Sequence, residues 1–135
     1  MTILQFFYLY LLTIPVFALF DLLWVGVVAK AFYQEKLAHL LGPVVWSPAI
    51  IFYLLFIVGI LVFAVAPALA EQSLTKAVLL GAFLGLITYA TYDLTNMALL
   101  RDWPLVVVIV DVIWGAVLTG GVATISYLIG KTLFL

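Results

Sequence analysis

The sequence predicts an all-α integral membrane protein, a bundle of four transmembrane helices with an interfacial segment between helices one and two. Of its 135 residues, 69% are hydrophobic and only 8% are charged, whereas about a quarter of a typical soluble domain is charged. Four stretches contain roughly 20 apolar residues, the length that crosses about 30 Å of hydrocarbon. Too few charged residues remain to coat a soluble core, so we expect the apolar surface to face lipid.

Helix start and stop signals delimit the first two predicted spans. The first runs over about residues 3–29, and we expect it to be a retained helix because no basic stretch precedes it and no small-residue cleavage site ends it. The second is predicted over 48–66. Ser47 is its expected capping residue, Pro48 its first helical residue and Pro67 its end.

The third and fourth spans are predicted over 74–100 and 104–129. Ser73 is the expected cap of the third, and Trp103-Pro104 opens the fourth. Because the connecting loops are short, sequential helices should be antiparallel neighbours. The whole chain, 1–135, is therefore predicted to be a single transmembrane domain.

The two faces of the predicted bundle differ in their loops. We name the face that carries both termini side A and the opposite face side B. On side B, residues 30–42 alternate apolar and polar side chains at helical spacing, which predicts an interfacial segment. His39 in this segment is expected to be solvated, and Trp46 and Trp103 are expected to be interfacial anchors. Two basic residues on side A against three on side B leave the orientation open.

Charge and cysteine content exclude several classes of function. The five basic residues are scattered and the net charge is −1, so no patch for a phosphate backbone exists and nucleic acid is not an expected partner. The absence of cysteine excludes disulfides and thiolate catalysis. No spacing of acidic residues or histidines matches a metal motif, so neither a metal nor a cofactor is expected.

Three aspartates are the only charges well inside the spans. Asp21 lies nine residues before Lys30, Asp93 eight before Arg101 and Asp111 nine after Asp102, and all three of these reference residues are on side B. At 1.5 Å per residue, each lies about 12–14 Å from side B. The three carboxyl groups should therefore share one layer, where like-charged neighbours and loss of water make it expected that at least one holds a proton.

Aromatic and polar neighbours accompany these aspartates. An Asp-x-x-Trp motif occurs as Asp21 and Trp24 in span one and as Asp111 and Trp114 in span four. Because the spans are antiparallel, the motif is compatible with an inverted repeat, although two matched residue types favour coincidence. The expected ligand-binding residues are Asp21, Trp24, Tyr89, Tyr92, Asp93, Thr95, Asn96, Asp111 and Trp114.

The third and fourth spans should meet along matching stripes. Helical spacing puts one polar and glycine-rich face of the third span toward the bundle, with Asp93 at its edge. That face comprises Gly81, Gly85, Thr88, Tyr89, Tyr92 and Asn96, and the facing stripe of the fourth span comprises Asp111, Gly115, Leu118, Val122 and Ser126.

Together these motifs resemble the bacterial membrane proteins of domain-of-unknown-function family 2177. The resemblance covers nearly the whole chain, and its most specific part is the run from Tyr92 to Asn96. It implies four spans and a bacterial inner-membrane location, and it transfers no activity. The positions that carry it are Asp21, Trp24, Tyr92, Asp93, Thr95, Asn96, Trp103, Pro104, Asp111 and Trp114.

Three functions remain open at this stage. The favoured one is binding or transport of a small amphipathic or cationic molecule, linked to a proton; transport by only four spans would call for a homodimer. The second is an intramembrane enzyme for a lipid or isoprenoid, with Asp93 or Asp111 as acid or base. The third is a structural subunit whose acids bond Trp, Tyr, Thr and Asn and hold the helices together. Membrane lipid is the one partner common to all three.

Overall fold

In the computed structural model, which describes all of residues 1–135, helices are the only regular secondary structure and turns and loops connect them. Four helices are long and apolar enough to cross a membrane, as the sequence predicts. They are the first span Ile3–Val28, the second span Trp46–Ala70, the third span Leu74–Leu99 and the fourth span Leu105–Phe134. A short connecting helix, Lys30–Lys36, follows the first span on side B.

The second span is longer at both ends than its local signals predict. Its cap is Val45, and Ser47 and Pro48 lie inside the first helical turn. The helix also continues through Pro67, which the sequence analysis took as its end. Residues Leu61–Val65 form a π-helical turn before this proline. Because Pro67 then falls in the first turn of the segment Ala66–Ala70, its missing N–H does not interrupt the helix.

Other boundaries follow the prediction closely. The Ser73 side chain caps the third span by accepting a hydrogen bond from the Lys76 backbone N–H. The fourth span begins directly after Pro104, but it extends past Gly130 to Phe134. Gly130 packs against Leu69, so it serves as a close-contact position rather than as the helix stop that its residue type suggests.

The third and fourth spans form the tightest pair in the bundle. Gly81, Gly85 and Gly115 are all buried between them. A Cβ atom added at Gly85 would overlap the Gly115 carbonyl oxygen, and one added at Gly81 would come within 2.6 Å of the Ala123 Cβ. Glycine is thus required here because it lets the two backbones touch.

The main apolar core fills the side-A half of the bundle and reaches its middle. It joins all four spans through residues such as Leu9, Ile57, Ala77 and Tyr127. Within it, the Thr13 and Ser126 hydroxyls hydrogen-bond at 2.8 Å across the first and fourth spans. This half is therefore a dry, closely packed scaffold for the groups on side B.

Trp103 is not the interfacial anchor that its position at a helix start predicts. The side chain is only 9% exposed and packs with Leu37, Val107 and Val108. Asp102 adopts a left-handed backbone conformation with φ of 58°, which closes the turn before the fourth span. Trp46, in contrast, is exposed, as expected of an anchor.

Candidate binding site

The three aspartates lie in one buried group, as counting residues from the side-B loops predicts. Asp21, Asp93 and Asp111 are 6%, 0% and 8% exposed. Asp93 touches Asp111. A depth count works because every residue of a helix adds the same rise.

Asp21 accepts hydrogen bonds from two other spans. The Tyr53 hydroxyl of the second span donates to its Oδ2. The Trp114 indole Nε1 of the fourth span donates to its Oδ1 at 3.3 Å. Asp21 thus joins three spans, and its two oxygens each have a donor, which offsets part of the cost of placing a carboxylate in hydrocarbon.

Asp111 is held from the connecting helix. The Tyr33 hydroxyl donates to its Oδ1, and the Trp24 indole Nε1 donates to the Tyr33 oxygen at 3.1 Å. Burial, followed by the hydrogen bond to Asp111, raises the pKa of Tyr33 above its ordinary value of 10.0. Tyr33 therefore remains a neutral donor throughout the physiological range.

The two Asp-x-x-Trp motifs are arranged reciprocally. Trp24 and Trp114 stack with ring centroids 4.4 Å apart and planes inclined by 10°. Trp114 donates a hydrogen bond to Asp21 of the other motif. Trp24 donates to Tyr33, which in turn donates to Asp111 of the other motif. The repeated motif thus has a structural use in this protein: each tryptophan stabilises the aspartate of the opposing helix.

Asp93 differs from the other two aspartates because no donor reaches it. Both of its oxygens are buried without a hydrogen-bond partner, and so is the Trp103 Nε1. Its side-chain neighbours are the Asp111 carboxyl and the Trp103 indole. The sequence analysis put Asp93 at the edge of the inward face, but the buried stripe of the third span is Ala77, Gly81, Gly85 and Asp93. A wholly buried carboxyl beside a second carboxyl is an arrangement suited to holding one proton between them.

A cavity of about 850 Å³ lies on the side-B side of this layer, and Asp21 and Asp111 line it. The connecting segment, residues 29–45 between the first and second spans, covers it through residues that include Tyr33, Leu37 and Leu41. Lys30 is the only basic residue in its wall. The aromatic wall residues are Trp24, Tyr33, Trp46, Tyr89, Tyr92, Trp103 and Trp114, which include all four tryptophans of the chain.

The expected ligand-binding residues divide into two groups. Those in the cavity wall are Asp21, Trp24, Tyr89, Tyr92, Asp111 and Trp114. Asp93 lies behind Asp111, and Thr95 and Asn96 are outside the wall. The Thr95 hydroxyl donates to two backbone carbonyl oxygens of its own helix, that of Thr91 and, at 3.1 Å, that of Tyr92. On the predicted polar face, Tyr92 is 56% exposed rather than turned wholly inward.

Sequence reasoning missed Tyr33 and Tyr53, the two hydroxyl donors to the carboxylates. Tyr53 could have been found by depth, since seven residues beyond Trp46 correspond to about 10 Å of helix, close to the level of Asp21. No local signal marks Tyr33, because its position depends on how the connecting segment folds over the cavity. His39 is exposed, as expected, and its Nε2 donates to the Asp102 carbonyl at 3.1 Å.

Fold and site define a multi-pass membrane protein with an acidic, aromatic cavity toward side B. The chain belongs to the family described as "Predicted membrane protein (DUF2177)", which it matches over residues 6–128. No curated protein and no solved structure proved similar to the chain. The family description assigns no activity, so the function has to be argued from the cavity.

Proposed function

We propose that the side-B cavity binds a small organic cation, such as a lipophilic amine or quaternary ammonium, and exchanges it for a proton. The observation that carries this proposal is that two buried carboxyl groups, Asp21 and Asp111, line the same cavity as all four tryptophans. Aromatic faces attract organic cations, and the attraction is strongest where water is excluded. Carboxylates add the opposite charge, so the wall recognises both properties of such a ligand.

The two lining aspartates have different roles in this proposal. Asp21 has donors on both oxygens, so it supplies a fixed negative charge near the stacked tryptophans. Asp111 has a donor on one oxygen only and adjoins Asp93, which does not line the cavity. A cation that approaches Asp111 favours loss of the proton shared with Asp93, and protonation of the pair favours release of the cation.

The proposal includes a cellular location and, for transport, an oligomeric state. We place the protein in the bacterial inner membrane, in keeping with the bacterial proteins that its sequence resembles. Transport, as distinct from binding, would require a homodimer, because four spans rarely enclose a translocation path. Crosslinking in membranes, compared with the size of the purified protein, tests this assembly.

The binding test is a titration of the full-length protein in lipid nanodiscs with tetraethylammonium, followed by tryptophan fluorescence. All four tryptophans lie in the cavity wall, so their emission should change on binding. Asp111→Asn retains an oxygen that can accept the Tyr33 hydrogen bond but removes the charge. We expect it to weaken binding about tenfold or more, as loss of one partner of a desolvated ion pair does.

Asp102→Asn is the matched control for this titration. It also removes one negative charge on side B, but Asp102 is exposed in the loop and absent from the cavity wall. Its affinity for tetraethylammonium should equal that of the parent. Equal affinity in the parent and in Asp111→Asn would refute the cation site, and no binding by the parent would leave the aspartate layer as a device that holds the helices together.

A further inference from the structure

A second space adjoins the cavity and opens sideways toward lipid. It has a volume of about 310 Å³ and is lined by Phe52 of the second span and by Thr88, Tyr89 and Tyr92 of the third. Tyr89 and Tyr92 also line the carboxylate cavity. The two spaces therefore share a wall, and we name the second one the lateral gap.

The lateral gap exists because the second span changes neighbours along its length. Its side-A part, Leu61–Ala70, packs against the third span, whereas its side-B part, Trp46–Ile60, packs against the first. The π-helical turn Leu61–Val65 lies where this change occurs. A π turn is a recurrent site of helix bending, and the second and third spans diverge on its side-B side.

Aromatic contacts define the limits of the gap. On its side-A side, Phe56 and Tyr89 meet with ring centroids 6.5 Å apart. Phe52 stacks on Phe56 at 5.2 Å, and Tyr92 meets Trp103 edge-on at 5.8 Å. Phe52 and Tyr92 are both exposed on the outer surface of the bundle, where membrane lipid is the solvent.

We infer that the ligand is a single-chain cationic amphiphile that reaches the cavity from within the bilayer. Its ammonium group lies at Asp21 and Asp111, and its alkyl chain lies in the lateral gap against Phe52, Thr88 and Tyr92. Charge complementarity places the head, because the acids belong to the cavity and the gap has no charged residue. This inference rests on the proposed function and narrows the ligand to one that partitions into membranes.

The test compares tetramethylammonium with decyltrimethylammonium, titrated below its micellar concentration into protein in nanodiscs, with empty nanodiscs as the reference. Thr88→Phe narrows the gap. The phenylalanine side chain would take up space that the decyl chain occupies, and such overpacking usually costs enough to weaken binding about tenfold. The affinity of the decyl compound relative to that of tetramethylammonium should therefore fall by about that factor.

Thr91→Phe is the matched control for the narrowing variant. Thr88 and Thr91 lie on the same helix, and their hydroxyls bond back to Leu84 and Ile87 at 2.8 and 2.7 Å. Only Thr88 lines the gap. Thr91→Phe should keep the parent ratio of the two affinities. An unchanged ratio in Thr88→Phe refutes the lateral gap as the chain site, while tetramethylammonium binding that depends on Asp111 leaves the proposed function standing.

Photolabelling of the parent tests the position of the chain without any substitution. A decyltrimethylammonium with a diazirine at the chain end should label Phe52 or the segment 88–92, and excess tetramethylammonium should suppress that labelling. Suppressible labelling of residues 37–44 in the connecting segment would overturn the inference, because it would put the alkyl chain toward side B. If neither compound binds the parent, the proposed function fails together with the inference.

Discussion

The side-A and side-B halves of the bundle differ in how closely the spans pack and in the polarity of the space between them. In the side-A half, all four spans share a core in which Leu9, Leu61 and Tyr127 are almost wholly buried. In the side-B half, the apolar cluster has four members, and the space between the spans is a cavity with carboxyl groups in its wall. The costly acids are tolerated because a separate, closely packed half holds the helices in place.

The largest effect should come from the tight contact of the scaffold. Gly85→Ala places a methyl group on the Gly115 carbonyl and near the Thr119 hydroxyl, which lies 2.6 Å from the added atom. Because a backbone atom cannot move aside, we expect a loss of about 3 kcal/mol in the free energy of unfolding. Thermal unfolding in detergent would measure it.

Gly121→Ala provides the control on the same pair of spans. A Cβ atom at Gly121 meets nothing within 4 Å, and alanine favours a helix over glycine by about 0.5–1 kcal/mol. This variant should be as stable as the parent or slightly more so. Equal destabilisation by both substitutions would show that the close approach of the two backbones does not limit stability.

A smaller loss of stability should distinguish a hydrogen bond to the carboxylate layer from an ordinary hydrogen bond between spans. Tyr53→Phe removes a donor to the Asp21 carboxylate, and Tyr10→Phe removes a donor to the Leu54 carbonyl at 2.9 Å. Both bonds join the first and second spans. We expect losses of about 1.5 and about 0.5 kcal/mol, because bonds to charged groups are stronger and membrane interhelical bonds are modest. A larger loss in Tyr10→Phe would place the more important contact outside the acidic layer.

The features that could be predicted from the sequence depend on regular helix geometry. Span number, the level of Asp21, Asp93 and Asp111, and the buried stripe from Asp111 to Ser126 all follow from a constant rise and turn per residue. All five stripe residues of the fourth span are indeed buried. A bond between Trp114 and an aspartate was likewise predictable, because unsatisfied polar groups in hydrocarbon are costly.

The features that could not be predicted depend on departures from that geometry. The π turn at Leu61–Val65 lies where the second span leaves the third and the lateral gap begins, and the helix then continues through Pro67. Its sequence is nevertheless an ordinary apolar run. The left-handed Asp102 turns Trp103 inward. The connecting segment brings Tyr33 to Asp111 across 78 residues of sequence, and such a contact leaves no local periodicity.

The central claim is that the side-B acids exchange a cation for a proton, and the pH dependence of tetraethylammonium affinity tests it most directly. Asp93 faces Asp111 and Trp103, with Tyr33 and Tyr92 nearby and Lys30 in the cavity wall. Tyr33 stays neutral over this range because its pKa is raised. As pH falls, protons occupy the carboxyl groups of Asp93 and Asp111, and the negative charge that binds the cation is lost.

The parent should bind tetraethylammonium at least about tenfold more tightly at pH 8 than at pH 5, since one exchanged proton changes affinity by up to about tenfold for each pH unit over which the proton is released. Asp93→Asn should flatten this dependence while the bundle stays folded, because it removes the carboxyl group that adjoins Asp111 and shares its proton. The third acid, Asp21, has a hydrogen-bond donor on each oxygen. A parent whose affinity is the same at both pH values, or an Asp93→Asn variant that keeps the full dependence, would contradict proton exchange at the Asp93–Asp111 pair.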